Sequence, residues 1–241
     1  MTSTYPITKD QDWISPATSN LFKRFNYEGC GIDWASIRVL DVGCNVGNYV
    51  NWSSNIVSRE NYVGLDINEK FINIANIIHP EYQFVHCNKW HRSYNPLGIK
   101  NLSIRNSLTG EFDVAISNSV LSHASADEIR AEILDIFTIL KPGGILLTTF
   151  FTDINLMPFL NYLKYTNGID TRYSIPNYET FVYLINCETL VADQDTLDLE
   201  TCNTFFSFYK EEKLAELFTG AEVVSTAQPS LQALVKFTKP L

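Results

Sequence analysis

Paired cysteines, long apolar runs and a surplus of basic residues are all missing from this chain of 241 residues. Its five cysteines, Cys30, Cys44, Cys87, Cys187 and Cys202, are odd in number, and no two stand in a C-x-x-C spacing. That excludes a disulfide framework or a cysteine-rich zinc site as the basis of the fold. Reduced thiols in a cytoplasmic protein are expected instead. No segment approaches the ~18 successive apolar residues of a membrane span. Residues 1–16 hold no apolar block of the secretory kind, so no membrane partner is expected. Lys and Arg number 18 against 27 Asp and Glu, a formal net charge of -9. A basic footprint for nucleic acid is therefore lacking, and no nucleic-acid partner is expected. Repeats and low-complexity tracts are absent too. What remains is an ordinary globular balance, 45% hydrophobic and 19% charged, enough for one α/β domain.

Apolar runs alternate with helical patterns along the chain. Residues 38–42 form a short run that ends in a glycine-containing turn, and 46–57 read as a helix with Val46, Val50 and Ile56 inward. Residues 61–65 are a second strand closed by Asp66. Residues 69–78 place Phe71, Ile74, Ala75 and Ile78 on one helical face. Strands follow at Tyr82 to Cys87 and at Phe112 to Ser117. Ala126 to Leu140 is a helix, with Lys141, Pro142, Gly143 and Gly144 stopping it. Gly144 to Phe151 is a fifth strand, apolar enough for burial on both faces.

This alternation predicts a Rossmann-like, doubly wound α/β fold with a mostly parallel, seven-stranded sheet. Two runs near the end, Ala221 to Thr226 and Leu231 to Thr238, predict an antiparallel edge hairpin turning at Gln228 to Ser230. Residues 152–205 break the pattern and are rich in aromatics, including Phe159, Tyr162, Tyr173, Phe181 and Tyr183. They are expected to form an inserted lid within a single domain. Residues 1–35, with a helix over Ser19 to Tyr27, are expected to add a cap. Residues 88–111 are long and polar, as functional loops are.

Ligands of open α/β sheets sit beyond the carboxyl ends of the strands. The first such end reads Asp41, Val42, Gly43, Cys44, Asn45, Val46, Gly47, Asn48, Tyr49. A dinucleotide fingerprint would need glycine where Gly43, Asn45 and Asn48 stand, and a phosphate-binding P-loop would need a Lys followed by Ser or Thr. Neither phosphate pattern is met. Asp41 offers an acceptor for an ammonium. Gly43 permits a tight turn, and Gly47 lets a ligand approach the helix start, whose free N–H groups suit a carboxylate.

The stretch resembles the first motif of class I S-adenosylmethionine (SAM)-dependent methyltransferases, acidic-x-Gly-x-Gly-x-Gly. Asp41, Gly43 and Gly47 match it. Asn45 replaces the middle glycine, a mild change because Asn tolerates the left-handed region. The cofactor implied is SAM, which combines carboxylate, ammonium and sulfonium. Cys44 and Ile67 are expected beside it. Asp66, nineteen residues beyond Gly47, is assigned the ribose diol, the alternative being a helix cap. Asn88 resembles the residue that meets the adenine amino group, the alternative being a turn former. Residues 112–123 resemble the fourth-strand motif, which places Ser117 and Asn118 beside the methionine part of SAM and Ser119 at the methyl-transfer chamber. Leu140 to Gly144 resemble the structural motif that opens the fifth strand. In all, the resemblance covers residues 36–150. The loop from His91 to Gly98 is reminiscent of a bacterial subset with Tyr-Asn-Pro-x-Gly after the third strand.

Methyl transfer from a sulfonium is an in-line displacement in which positioning supplies much of the acceleration. A hydroxyl acceptor needs a base as well. His123, just past the fourth strand, is the candidate, and packing on the next helix is its alternative role. His91 is second in line, and Tyr49 could face the chamber. No metal ligand set is evident. The expected activity is methylation of an oxygen or nitrogen of a small-molecule acceptor by a monomer or homodimer. A SAM-binding regulatory or structural subunit is the other class left open.

Overall fold

The computed structural model describes residues 27–50, 57–167, 178–185, 189–192, 205–227 and 232–241. Five strands run parallel in the order β3 (Gln83–His86), β2 (Tyr62–Asp66), β1 (Val39–Val42), β4 (Phe112–Ser117) and β5 (Leu140–Thr152). The sheet then turns antiparallel: β10 (Ala233–Thr238) pairs with β5, and β9 (Ala221–Ser225) pairs with β10. These seven strands are the sheet that the sequence predicts, edge hairpin included.

Two more strands come from the aromatic segment 152–205, and a third starts at its end. β5 outruns its partner β10, and its last residues, Phe151 and Thr152, pair with β8 (Phe205–Tyr209). β8 carries β6 (Phe181–Ile185), which in turn pairs antiparallel with β7 (Thr189–Val191). The insertion thus extends the sheet from the carboxyl end of β5.

Side chains of β1 alternate between two cores, as strand geometry requires. Leu40 and Val42 join the cluster that holds Leu146, Phe150 and Ile133. Val39 joins the opposite cluster with Tyr62, Ile116 and Leu147. All four β1 residues are buried, and each apolar one contributes roughly 1.5–3 kcal/mol by leaving water. Asp41 lies among them, so its burial has to serve something other than packing.

Helix α1 (Glu69–Ile78) starts at Asn68, whose side chain accepts from Lys70 N. Its core face is Ile72 and Ala75; Phe71 and Ile74 are only partly covered and Ile78 is 38% exposed. The apolar stripe is therefore rotated by about one residue from the expected one, with Ile72 and Ala75 packed into the cluster that holds Tyr62 and Phe84 of β2 and β3. Helix α2 (Ala126–Phe137) opens with a capping box between Ser125 and Glu128. It ends three residues earlier than expected. Lys141 to Gly144 lie inside β5 rather than stopping the helix, and they bond to the chain end through Gly143 N to Lys239 O and Lys239 N to Gly144 O. Helix α3 (Asp153–Asn167) follows β5 directly, and the short α4 (Leu214–Leu217) precedes β9.

After β1 the chain makes turns over residues 45–49 and becomes helical at Val50. The helix expected over 46–57 therefore does not include residues 46–49, and its residues 51–56, like residues 19–26 of the expected helix over 19–27 and the turn at 228–230, lie outside the described residues.

Candidate functional site

The loop after β1 is built by backbone constraint. Gly43, Asn45 and Gly47 all adopt positive φ, at 75°, 54° and 83°. Gly43 N and Cys44 N both donate to Leu65 O, at 2.8 and 3.0 Å, which ties the loop to β2. A Cβ on Gly43 would stand 2.3 Å from Val120 Cγ2, so the loop and the turn after β4 touch through this glycine. A Cβ on Gly47 would stand 2.8 Å from the His79 ring.

Two carboxylates flank the loop. Asp66 is 8% exposed. Its Oδ2 accepts from Asn45 N at 2.9 Å and its Oδ1 from Asn68 N at 2.8 Å. The helix cap is Asn68, so Asp66 instead clamps the glycine loop to the entry of α1. The Ile67 backbone N–H also contributes to holding this carboxylate, so of its roughly four lone-pair sites only a part is left for a ligand. Burial raises its pKa even though backbone N–H groups oppose the shift. Asp41 is 4% exposed and accepts from Tyr62 Oη at 2.7 Å. Burial is again the main cause that lifts its pKa, from 3.8 to about 7, with the negative Asp66 adding to it. Two buried acids, one of which raises the other's pKa, are costly to ionise together, and a positively charged ligand would relieve that cost.

A cavity of about 470 Å³ opens beside them. Val42, Gly43, Leu65, Ile67, Trp90 and Leu121 give it apolar walls, and Lys89, Arg92, Glu128, Glu132 and Asp135 give it a charged floor. Those charges pair across it. Lys89 Nζ lies 2.6 Å from both Glu132 and Asp135, and Arg92 pairs with Glu128. The pairs pin the 88–105 loop onto α2, helped by Ser103 Oγ donating to Asp135 at 2.5 Å.

The expected site residues separate into groups. Gly43, Ile67 and His91 line the cavity; Asn45 and Asp66 are joined at the Gly43 loop beside it, whereas Asp41 and Cys44 lie toward Tyr62 on the face of the sheet opposite Val42. Cys44 is buried, and burial pushes its thiol pKa well up. Asn88 is exposed, and its Oδ1 accepts from Asn95 Nδ2 at 3.1 Å, which holds together the 88–99 loop. Ser117 is fully buried, and its Oγ finds no hydrogen-bond partner among the described residues. Asn118 Oδ1 accepts from the buried Tyr27 hydroxyl. Ser119 adopts a φ of 56°, and its Oγ donates to Gln232 Oε1 at 3.2 Å. Tyr49 is 1% exposed and stacks on Tyr62 within the core, so it stands apart from the cavity walls.

His123 ends a short turn at Leu121–His123. The cap of α2 is Ser125, so His123 has no capping role. Its Nε2 lies 3.3 Å from Tyr94 Oη, and its ring sits 4.8 Å from Phe206. His91 Nδ1 accepts from Ser93 N and Tyr94 N at 3.2 and 3.3 Å. Burial and the Arg92 charge lower its pKa to about 4, and its ring also bonds the His123 backbone. A neutral imidazole whose free lone pair is already used holds the loop and is a poor base.

Sequence reasoning missed Tyr62, Tyr27, Trp90, Phe206 and Gln232. Only Tyr62 carried a signal, since it pairs in register with Val39 and so lies beside Asp41.

Comparisons with known proteins agree with this geometry. Residues 40–146 match a family model described as a methyltransferase domain. A tRNA U34 carboxymethyltransferase from Campylobacter hominis is 30% identical over 178 residues, covering 71% of this chain and 54% of that protein. The chain thus spans about half the length of this curated relative. Among solved structures, the PH0226 protein from Pyrococcus horikoshii OT3 superposes with a TM-score of 0.56 at 17% identity, over 99% of this chain and 97% of that one. Magnesium protoporphyrin IX methyltransferase from Synechocystis PCC 6803, with bound S-adenosylhomocysteine (SAH), gives a TM-score of 0.51 at 15% identity, over 92% and 82%. At these identities the structures speak for the fold. The matched residues run from β1 to β5, so this part of the chain is a methyltransferase domain, and the sheet around it has the fold of the class I SAM-dependent methyltransferases.

Proposed function

We propose that the protein binds SAM at the carboxyl ends of β1 and β2 and methylates an oxygen or nitrogen of a small molecule. The observation that carries this is the pair of buried carboxylates, Asp41 and Asp66, that flank the Gly43 loop, with Gly43 itself and the neighbouring Val42, Leu65 and Ile67 lining the cavity. When bound, SAM supplies a methyl group on a sulfonium, which departs as a neutral thioether when the acceptor attacks in line. Asp41 would hold the cofactor's ammonium, and the remaining acceptor capacity of Asp66 would take its ribose hydroxyls. Ile67, Trp90 and Leu121 supply apolar surface for adenine. Ser117 and Asn118 follow the methionine part, and Ser119 stands at the acceptor. His123 takes the proton of a hydroxyl acceptor, with Tyr94 holding its ring. The insertion acts as the lid, in a monomer or homodimer of the cytoplasm.

The similarity to a tRNA-modifying enzyme favours a second reading, a tRNA acceptor, and the net charge of -9 opposes it. A SAM-binding subunit without catalysis is a third. Labelled-methyl transfer from SAM to a panel of small hydroxylated and amino compounds, run beside bulk tRNA, separates the three. Label in a small compound is the expected result. Label only in tRNA moves the acceptor to nucleic acid, and SAM binding with no label anywhere selects the subunit.

A further inference from the structure

A row of rings lies on the far side of the turn after β4. Ring centroids step from Tyr94 to His123 at 5.3 Å, to Phe206 at 4.8 Å, to Phe159 at 4.7 Å and to Phe151 at 5.3 Å. The rings come from the 88–99 loop, the turn after β4, β8, α3 and β5, so the fold, and no single motif, assembles them. All five keep part of their surface exposed, whereas Phe150 and Phe208 beside them are fully buried. Phe151, Phe159 and Phe206 pack against the cluster of Leu156, Leu160, Val182, Leu184 and Phe208 and stay partly exposed. Partly exposed aromatic side chains this close make a binding wall for another ring, since ring pairs favour offset and edge-to-face contacts at 4.5–7 Å.

Hydrogen-bonding groups stand at one end of the row. Tyr94 Oη and His123 Nε2 are 3.3 Å apart. His91, beneath them, is held neutral by burial and by Arg92, so that end carries no fixed charge from it. At the other end, Asp153 next to Phe151 is within 3.8 Å of Lys210.

The same turn lines both compartments. Val120, Leu121 and Ala124 face the cavity, and Val120 touches the Gly43 loop. His123 turns the other way, onto the row. The ring wall therefore starts where the cofactor cavity ends.

We propose that this row is the acceptor-binding surface and that the acceptor is a planar aromatic compound bearing a hydroxyl. Its ring lies along Phe206 and Phe159, and its hydroxyl reaches the Tyr94–His123 pair. The inference rests on the methyl-transfer reading only for the fate of the hydroxyl; the binding surface stands by itself.

The probe is 2-naphthol, with 2-decalol as its saturated counterpart, titrated into the SAH-saturated protein. Naphthol is expected to bind at one saturable site, at least tenfold more tightly than decalol. Phe206→Ala should weaken it tenfold or more. Tyr94→Ala, at a half-exposed loop position that can change without unfolding the chain, should weaken it several-fold. Leu134→Ala, on the exposed side of α2, should leave it unchanged. Equal affinity for naphthol and decalol, or undiminished naphthol binding in both ring variants, overturns the proposal. Label transfer from SAM is measured on the same samples. Naphthol bound at the row but never labelled removes the methyl-transfer reading and leaves the aromatic site. Label in a saturated alcohol, with no naphthol binding, removes the aromatic site and leaves methyl transfer.

Discussion

The loop after β1 and the ring row beyond β4 and β5 lie on two sides of the turn at Val120–Ala124 and form two halves built by different means. The first half is backbone. Three positive-φ positions at alternate residues, two N–H groups on one carbonyl and a buried carboxylate on two more N–H groups fix its shape. The second half is side chain. Tyr94, His123, Phe206 and Phe159 reach it from segments far apart in the chain. A backbone cradle holds a constant ligand and tolerates little change, whereas a side-chain wall can be recut for a new ligand without disturbing the loop. The cofactor half should therefore respond to mutation through both stability and affinity, and the acceptor half through rate.

The largest expected effect lies in the second half. With a hydroxyl acceptor, His123→Ala should lower the maximal rate by about two to four orders of magnitude and leave SAM affinity nearly unchanged, because only proton transfer is lost. Single-turnover rates beside equilibrium titration check both parts. A small loss with a proven hydroxyl acceptor removes His123 as the base.

Gly43→Ala tests the cradle. The new Cβ meets Val120 Cγ2 at 2.3 Å and sits at a φ of 75°, where a side chain is strained. We expect a cost of about 1–3 kcal/mol in stability and a SAM affinity at least tenfold weaker. Unchanged melting and binding would show that the loop is looser than described.

Asp66→Ala should weaken SAM binding by roughly 1–3 kcal/mol, the usual cost of removing a charged acceptor. It should also lower the melting temperature, because Asn45 N and Asn68 N lose their partner. A stability loss with full affinity in the folded variant would make Asp66 a clamp alone.

The smallest effect concerns Asp41 and pH. Its folded pKa, raised to about 7 from 3.8, means that the folded state binds the extra proton. The stabilisation this gives is complete below pH 3.8 and is lost as pH rises through about 7. Above that, the ionised group burdens the free protein, and a bound ammonium relieves it. SAM affinity should thus fall as pH drops from 7.5 to 5.5, by at most about tenfold per unit. Asp41→Asn, which keeps an oxygen for Tyr62, should melt higher than the parent at pH 8 and bind SAM more weakly. A variant that binds normally would make Asp41 purely structural.

The same contrast explains what was legible in the sequence. Glycines and Asn at positive φ, an acid closing β2 and strictly alternating strands are local signals, so the sheet, its hairpin and the Gly43 loop could be read directly. The rotated face of α1 could not, since Ile72 and Phe71 are both apolar and only the seat on β2 and β3 decides between them. Nor could the strand role of Lys141 to Gly144, which depends on Lys239 arriving from the chain end. His91 looked like a base until its backbone contacts were visible. Phe206 had no signal, because its partners lie on α3 and beyond β4 and no spacing along the chain brings them together.

The central claim is that this cradle is made for SAM. Calorimetric titration of the wild-type protein with SAM, SAH and NAD at pH 7.5 tests it most directly. The account predicts one site per chain for SAM and for SAH, with affinity in the micromolar range, and no heat from NAD; saturable NAD binding with none for SAM would contradict it.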